Sequence, residues 1–480
     1  MHQSQIHMAD KITHITPDRI ALGCSIWYTI CILRTIGHAT CSIAIYQFLS
    51  LLCAYICIRQ LPYKNPIYAI ITVAGTIQAI YAITQSIGIT HSNHLFFDVT
   101  GFMGNPGQLG GFQSVAFVST IIMLHNSISK HNSQKFLLYC SAVLIAYSLF
   151  LSQSRASFLA ILVGSGIIYW KWLKVHLHKS KWLWFILIQA LLILVATMYY
   201  LRTSSVEARM LIWRVSADMI ADKPLFGFGA YGFNMHYMLY QAEYFKNHPD
   251  SIFTLVADNA TYPYNELIHI TIEQGIIGLS LFLMLLYSIV THTPDFRKVA
   301  PLMTLLIFSL FSYPSYKHSL AMLFPILTAS LIPCDSTPKN KKYNIVVSIN
   351  SAILCILFTL LMFSTQKSYI KNTKIISEDS LQNIFPSCEN WCAIGCFHVE
   401  KNQFNMAEAY LCQAAQMIPT RLCPNYQLWK LYVKQGDLMK AKKIGRKILT
   451  QPLKVENTYT LKAKAEIKEW LQIHDNAYRN

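Results

Sequence analysis

The sequence predicts an all-α fold: a polytopic membrane helical bundle followed by a small soluble helical-repeat domain. Three observations predict it. First, 53% of the 480 residues are hydrophobic and only 13% are charged, against about 25% charged in soluble domains. Second, the charges avoid whole stretches: no Lys, Arg, Asp or Glu lies between Lys181 and Arg202, or between Glu273 and Asp295. Each gap fits an apolar helix of ~20 residues, the length that crosses hydrocarbon. Third, the composition turns soluble and helical after Ser364.

The apolar runs give about eleven spans by the ~20-residue criterion. They fall at 20–33, 41–58, 66–89, 106–124, 136–151, 157–170, 182–201, 265–290, 300–311, 319–332 and 343–363. The first, ninth and tenth are short, and Tyr313-Pro314 breaks the last two apart. Positive residues orient the set, because Lys and Arg accumulate in cytoplasmic loops. Arg59 and Lys64, Lys130 and Lys135, Lys171, Lys174, Lys179 and Lys181, Arg297 and Lys298, and Lys339, Lys341 and Lys342 occupy alternate connections, and Lys11 and Arg19 join them. That side reads as cytoplasm, so the N-terminus is inside and the C-terminal domain outside. No cleavable signal peptide is expected, since residues 1–19 are polar and the first apolar run leads into further spans. The outer side then holds 91–105, the turn at Arg155, the long loop 202–264, the turn at 313–318 and everything after 364. Eight of the 13 Asp and Glu before Ser364 lie between Arg202 and Gly275.

The expected domains are 1–364 in the membrane with the large loop 202–264, a linker at 365–380, and a helical domain at 381–480. In that domain Trp391, Ile394, Gly395, Ala407, Leu411, Ala414 and Pro419 have the spacing of a tetratricopeptide repeat. Leu428, Tyr432, Gly436 and Ala441 form a second unit, with Ala441 one 34-residue period after Ala407. Stacks of this kind present a groove for a protein partner. Cys388, Cys392 and Cys396 fall on one face of the first helix, without a paired Cys-x-x-Cys, and read as core cysteines rather than metal ligands. The net charge of +17 is accounted for by inside loops and a basic tail, so no nucleic-acid partner is expected.

Charged groups at span ends are functional candidates. Arg155 interrupts two apolar runs within Ser152-Gln153-Ser154-Arg155. Arg209 and Trp213 sit one helical turn apart at the start of the long loop, ahead of Pro224-Leu225-Phe226-Gly227-Phe228-Gly229. Tyr264-Asn265-Glu266 enters the span that continues Glu273-Gln274-Gly275. Gly101-Phe102-Met103-Gly104-Asn105-Pro106 is a tight turn into a helix.

In this order, these segments resemble the O-antigen ligase and polymerase family of bacterial membrane proteins, over roughly residues 67–332. A C-terminal tetratricopeptide domain also occurs in some members of that family. The resemblance implies a metal-independent, cofactor-free glycosyl transfer with inversion: a glycan on a polyprenyl (undecaprenyl) diphosphate passes to an acceptor hydroxyl at the outer face of the bacterial inner membrane. The acceptor is a lipid such as the lipopolysaccharide core, a growing polysaccharide, or a protein. Without a metal, guanidinium groups must neutralise the diphosphate, and Arg suits bidentate contact with phosphate. Arg155 and Arg209 are the expected donor-binding pair, with Asn105, Trp213 and Asn265 shaping the site. The family has His where this chain has Tyr264. A phenol with a pKa near ~10 is a poor base at neutral pH, which shifts the expected proton acceptor to Glu266 and leaves Tyr264 to position the acceptor. His269 reads as a structural histidine. Two other classes compete: a lipid-linked-sugar transporter, which predicts inverted repeats, and a non-catalytic scaffold recruiting partners through its helical repeats.

Overall fold

The protein is described here by a computed structural model of residues 16–373 and 384–476, apart from 39, 62, 65, 93, 95, 127–131, 180–181, 183–184, 186–188, 190–202, 334–340 and 455. The described residues form helices and turns, with no strand. In chain order the membrane part has α1 (Pro17–Leu33), α2 (Thr40–Gln60), α3 (Pro66–Ser86), α4 (Pro106–His125), α5 (Asn132–Ser152), α6 (Arg155–Ile168) and α7 (Trp170–Lys179). The long loop contributes α8 (Thr203–Asp222) and α9 (Gly232–Asn247). The chain then re-enters through α10 (Glu266–His292), α11 (Ala300–Ser309), α12 (His318–Ala321), α13 (Leu323–Leu331) and α14 (Lys341–Thr373). The C-terminal unit is α15 (Cys388–Glu400), α16 (Phe404–Met417), α17 (Leu422–Gln435), α18 (Leu438–Thr450) and α19 (Thr458–Asn476).

Among the described residues, six helices are long and apolar enough to cross a membrane: α2, α3, α4, α5, α10 and the 345–370 part of α14. The expected spans at 20–33, 157–170, 300–311 and 319–332 are helical but shorter, and the one at 182–201 lies outside the described residues but for three positions. The helix α14 runs on through the first part of the expected linker, because 364–373 contains neither Pro nor Gly to stop it.

Helix packing here relies on close approach, since lipid offers apolar side chains no worse a home than protein. Small residues supply it. A Cβ on Gly110 of α4 would stand 2.5 Å from the Ser154 Cβ and 2.6 Å from the Ser157 Oγ. Gly75 meets Ala116, and Gly164 meets Thr304, in the same manner. Around these contacts Ile71, Val115, Val118, Ile145, Leu302 and Leu305 form the buried core of α3, α4, α5 and α11. Asp18 pairs with Arg59, Lys64 Nζ donates to the Ile332 carbonyl at 2.5 Å, and Arg297 Nη1 meets His125 Nε2 at 2.6 Å. The connections that carry Arg59, Lys64 and Arg297 therefore gather at one end of the bundle, where Tyr68 OH donates to Lys298 O at 3.2 Å.

At the opposite end α10 is broken. Gly275 has φ 68° and ψ −173°, a conformation open in practice only to glycine. The break strips hydrogen-bond partners from the preceding carbonyls, and an orphaned peptide group at membrane depth costs several kcal/mol. The Pro224–Gly229 segment supplies replacements: Phe228 N–H donates to Ile272 O at 2.8 Å and Gly229 N–H to Glu273 O at 2.9 Å. In return Ile276 N–H donates to Pro224 O at 2.8 Å, and Trp27 Nε1 covers Gln274 O at 3.1 Å. Arg34 clamps the outer side of the same segment through Phe226 O (2.6 Å) and Gly227 O (3.0 Å). A Cβ on Gly275 would overlap the Leu225 carbonyl. Gly275→Ala is therefore expected to cost the ~1–3 kcal/mol of a strained backbone and more for the overlap. The measurement is the thermal midpoint of purified protein in detergent, which falls by several degrees or more; an unchanged midpoint would contradict this account of the break.

The C-terminal unit stacks helix on helix. A Cβ on Gly395 of α15 would stand 2.6 Å from Leu411 Cγ of α16, and Ala407, Leu411, Ala414 and Ala441 are fully buried. The unit docks on the long loop. Met417, Ile418 and Cys388 join Leu211, Val215, Phe233 and Tyr237 in one buried cluster. Gln241 Nε2 donates to Met417 O at 2.7 Å, and Asp258 pairs with both Arg421 (2.8 Å) and Lys454 (2.9 Å). Loop and C-terminal unit thus share one end of the bundle.

Candidate functional site

Two short turns and one helix carry the arginines to a common place. Arg155 is the first residue of α6, after a turn in which Gln153 takes a left-handed conformation (φ 49°). Ser154 Oγ and Ser157 Oγ lie 2.7 Å apart, and the turn is pressed against Gly110. The helix α4 that carries Gly110 starts at Asn105, whose side chain accepts from Gly107 N–H at 2.8 Å and precedes Pro106. Asn105 thus acts on the site through the helix it caps.

Arg209 and Trp213 share a face of α8, one turn apart. Trp213 Nε1 donates to Pro263 O at 2.9 Å, which lays the 262–264 turn along that face. Tyr264 there adopts φ 55°, and its ring lies under the Arg209 guanidinium at 5.1 Å. Arg209 is held below the ordinary guanidinium value by burial first, against the attraction of Tyr264, and then by the positive charge of Arg155. The charge of Arg155 is therefore felt at Arg209. Among the described residues no carboxylate pairs with Arg209.

Asn265 ends the turn and caps α10, its Oδ1 accepting from Leu267 N–H (2.9 Å) and Ile268 N–H (3.1 Å). Glu266 follows. Its Oε1 lies 2.9 Å from His269 Nδ1, while His269 Nε2 lies 3.1 Å from Glu273 Oε1. With a carboxylate on each nitrogen, the ring satisfies both only by donating from both. Ser315 Oγ approaches the same Nδ1 at 3.3 Å. Above this row sits an aromatic group from two loops: Tyr262 stacks on Tyr313 at 3.5 Å, Tyr264 meets Tyr313 edge-on at 5.3 Å, and Tyr316 lies 4.9 Å from His269. Tyr316 OH donates to Asn234 Oδ1 at 3.1 Å, tying the 313–318 turn to α9.

The structure brings Arg155, Arg209, Trp213, Tyr264 and Asn265 into one region and sets Glu266 at its edge. His269 links Glu266 to Glu273, which sequence reasoning missed although positions 266, 269 and 273 fall on one helical face. The tyrosines of the 313–318 turn were also missed. Among the described residues no cluster of three or more His, Cys, Asp or Glu is arranged to hold a metal ion.

Burial, and then the neighbouring Tyr262, push the Tyr264 phenol up to about 12, with Arg209 opposing. A phenol so raised stays protonated through neutral pH; it donates a hydrogen bond and takes no proton. Because its folded value lies above the ordinary 10, its contribution to stability is intact below about pH 10 and is lost as pH rises through about 12. Tyr264→Phe should therefore leave the pH–rate profile between 5 and 9 unchanged and weaken acceptor use by the about 1 kcal/mol of one hydrogen bond. Rates measured across that range check this; a lost ionisation limb would show that the phenol titrates.

The O-antigen ligase family model matches residues 140–283. That stretch contains Arg155, Arg209, Trp213 and the whole of 264–275, and leaves out Asn105 and the C-terminal unit. Proteins provisionally named polysaccharide ligases are similar to this chain. One from Rickettsia conorii is 30% identical over 187 residues, covering 36% of this chain and 42% of the relative. One from Rickettsia prowazekii is 28% identical over 192 residues with the same shares. A third, from Rickettsia felis, is 30% identical over 189 residues, again covering 36% of this chain and 42% of the relative. The chain thus spans less than half the length of the curated relatives it matches. Residues 140–283 of this multi-pass membrane protein thus match the O-antigen ligase family model, and the named relatives point the same way.

Proposed function

We propose that this chain transfers a glycan from a polyprenyl-diphosphate-linked donor to an acceptor hydroxyl at the periplasmic face of a bacterial inner membrane, without a metal. The observation that carries this reading is the convergence of Arg155 and Arg209 on one partly buried space, with no carboxylate paired to Arg209 among the described residues. Like charges held near one another repel, and an anion that joins them relieves the repulsion. A lipid diphosphate fits by charge, and it arrives from the bilayer in which the neighbouring helices stand.

The chemistry follows. As the bond from the anomeric carbon to the diphosphate oxygen breaks, negative charge grows on the leaving group. Arg155 and Arg209 hold that charge, and preorganised charge of this kind is commonly the largest catalytic contribution. The acceptor oxygen attacks the anomeric carbon from the opposite face, which inverts its configuration. Glu266 takes the acceptor proton; His269 and, behind it, Glu273 hold its carboxylate in place. Tyr264 donates to the acceptor, and Trp213 fixes the turn that carries it.

The gathering of basic connections at one end supports a cytoplasmic assignment for that end, with the C-terminal helices in the periplasm beside the site. There they are placed to present a protein or lipid-bound acceptor. Complementation tests the reading. Cells lacking the protein receive wild type, Arg155→Ala or Arg209→Ala at matched membrane levels. The expected result is loss of the glycoconjugate with accumulation of lipid-linked donor. Normal glycoconjugate from both variants would favour a scaffold, and loss without donor accumulation outside the membrane would favour a transporter.

A further inference from the structure

The C-terminal unit holds a cluster of thiols that the transfer reaction does not use. Cys392 on α15 and Cys423 on α17 approach to 3.5 Å between sulfurs. Cys396, one turn along α15, hydrogen-bonds to the same Cys392 sulfur. With Cys388, Glu389 and Arg421 these residues line an open groove of about 610 Å³. Cys392 is 6% exposed, while Cys396 and Cys423 are half-buried and open to the groove.

We propose that Cys392 and Cys423 are a disulfide-forming pair, oxidised by a protein or low-molecular-weight disulfide in the periplasm. The proposal rests on the outward placement of the C-terminal unit given above. The sulfurs need to close from 3.5 Å by about 1.5 Å to reach the ~2.05 Å of a disulfide. The thiols also differ in reactivity. The Cys423 thiol is pulled down to about 7, first by its hydrogen bond with Cys392. Cys392 is pushed up, first by its hydrogen bonds with Cys396 and Cys423. Cys423 is thus the thiolate that attacks the incoming disulfide, forming a mixed disulfide and expelling one thiolate. The Cys392 sulfur then displaces the second thiolate and gives up its proton. Two protein thiols lose two electrons and two protons, and one oxidant disulfide becomes two thiols.

The position of this bond ties it to the site. Arg421, two residues before Cys423, pairs with Glu389 of α15 and with Asp258 of the long loop. Cys388 N–H donates to Asn259 Oδ1 at 2.9 Å. The first turn of α15 and the start of α17 are therefore the elements that grip the loop leading to Tyr264, and the disulfide would staple one to the other. Cys396 remains a free thiol.

The experiment uses the full-length protein in native membranes. These are trapped with alkylating reagent without reductant, then digested with trypsin and analysed by mass spectrometry. The expected product joins the peptide ending at Lys401 to the peptide 422–430, with Cys396 alkylated. The cross-link should disappear in Cys392→Ser and in Cys423→Ser and persist in Cys396→Ser. Alkylation of all three thiols in wild type, or a cross-link that survives Cys392→Ser, would overturn the proposal. An impermeant maleimide on spheroplasts separates the two ideas. Cys396 labelled from outside, with Cys392 and Cys423 both reduced, defeats the disulfide alone. Cys396 labelled only after permeabilisation defeats the orientation on which it rests.

Discussion

Arg209→Ala should lower glycan transfer by about 10²–10³-fold, the loss that follows removal of one preorganised contact to a developing anion. Arg209 is held over Tyr264 and beside Arg155 before any donor binds, so its charge needs no reorganisation when the leaving group forms. The variant should fold, because the guanidinium pairs with no carboxylate among the described residues and its removal relieves repulsion from Arg155. Arg209→Lys should recover only part of the rate, since an ammonium is a point charge and cannot hold two diphosphate oxygens in a plane. The Arg155→Ala, Arg209→Ala double variant should lose less than the product of the single losses, as both act on one anion. Initial rates with membrane preparations at fixed donor concentration check this. A single-variant loss below about tenfold, well short of the range above, would move the diphosphate elsewhere.

Glu266→Gln should reduce transfer by about 10²–10⁴-fold, the usual worth of a general base. The amide has the shape of the carboxylate, and its oxygen can still accept from His269 Nδ1, which lies 2.9 Å from Glu266 Oε1 in the native protein. The helix start stays capped by Asn265. The defect should therefore fall on kcat, with donor binding and expression near those of wild type. His269→Gln separates positioning from chemistry: it should lower kcat less than Glu266→Gln does, because the carboxylate survives but is no longer held. Equal rates for wild type and Glu266→Gln would return the proton to another group and remove Glu266 from the mechanism.

Much of this architecture was legible in the chain itself. The charge-free stretches marked the long apolar helices, since a cation at mid-membrane is costly. Arg155, Arg209 and Tyr264-Asn265-Glu266 stood out as polar residues at span ends. What stayed hidden depended on contacts between distant segments. Gly275 reads locally as a tolerable helix glycine. Its break makes sense only once Pro224, Phe228 and Gly229 are seen to bond with the freed peptide groups of 272–276. How Asn105 would shape the site was not visible either: its side chain caps α4, whose Gly110 packs against the Arg155 turn. The bridge of His269 between Glu266 and Glu273 was hidden, because nothing in a helical spacing says which way two acids turn. Tyr313 and Tyr316 lie about fifty residues from Tyr264 and His269, beyond any local pattern.

The most direct test is binding of polyprenyl diphosphate, the leaving group itself, to purified protein in nanodiscs with chelator present. Tryptophan fluorescence is a convenient readout, since Trp213, one of nine tryptophans, sits one turn from Arg209 on α8, and a Trp213→Phe control isolates its share of the signal. Wild type should bind saturably, and both Arg155→Ala and Arg209→Ala should weaken Kd by about tenfold or more, at ~1.4 kcal/mol per tenfold. Unchanged affinity in both variants would contradict the claim that these two arginines form the diphosphate site.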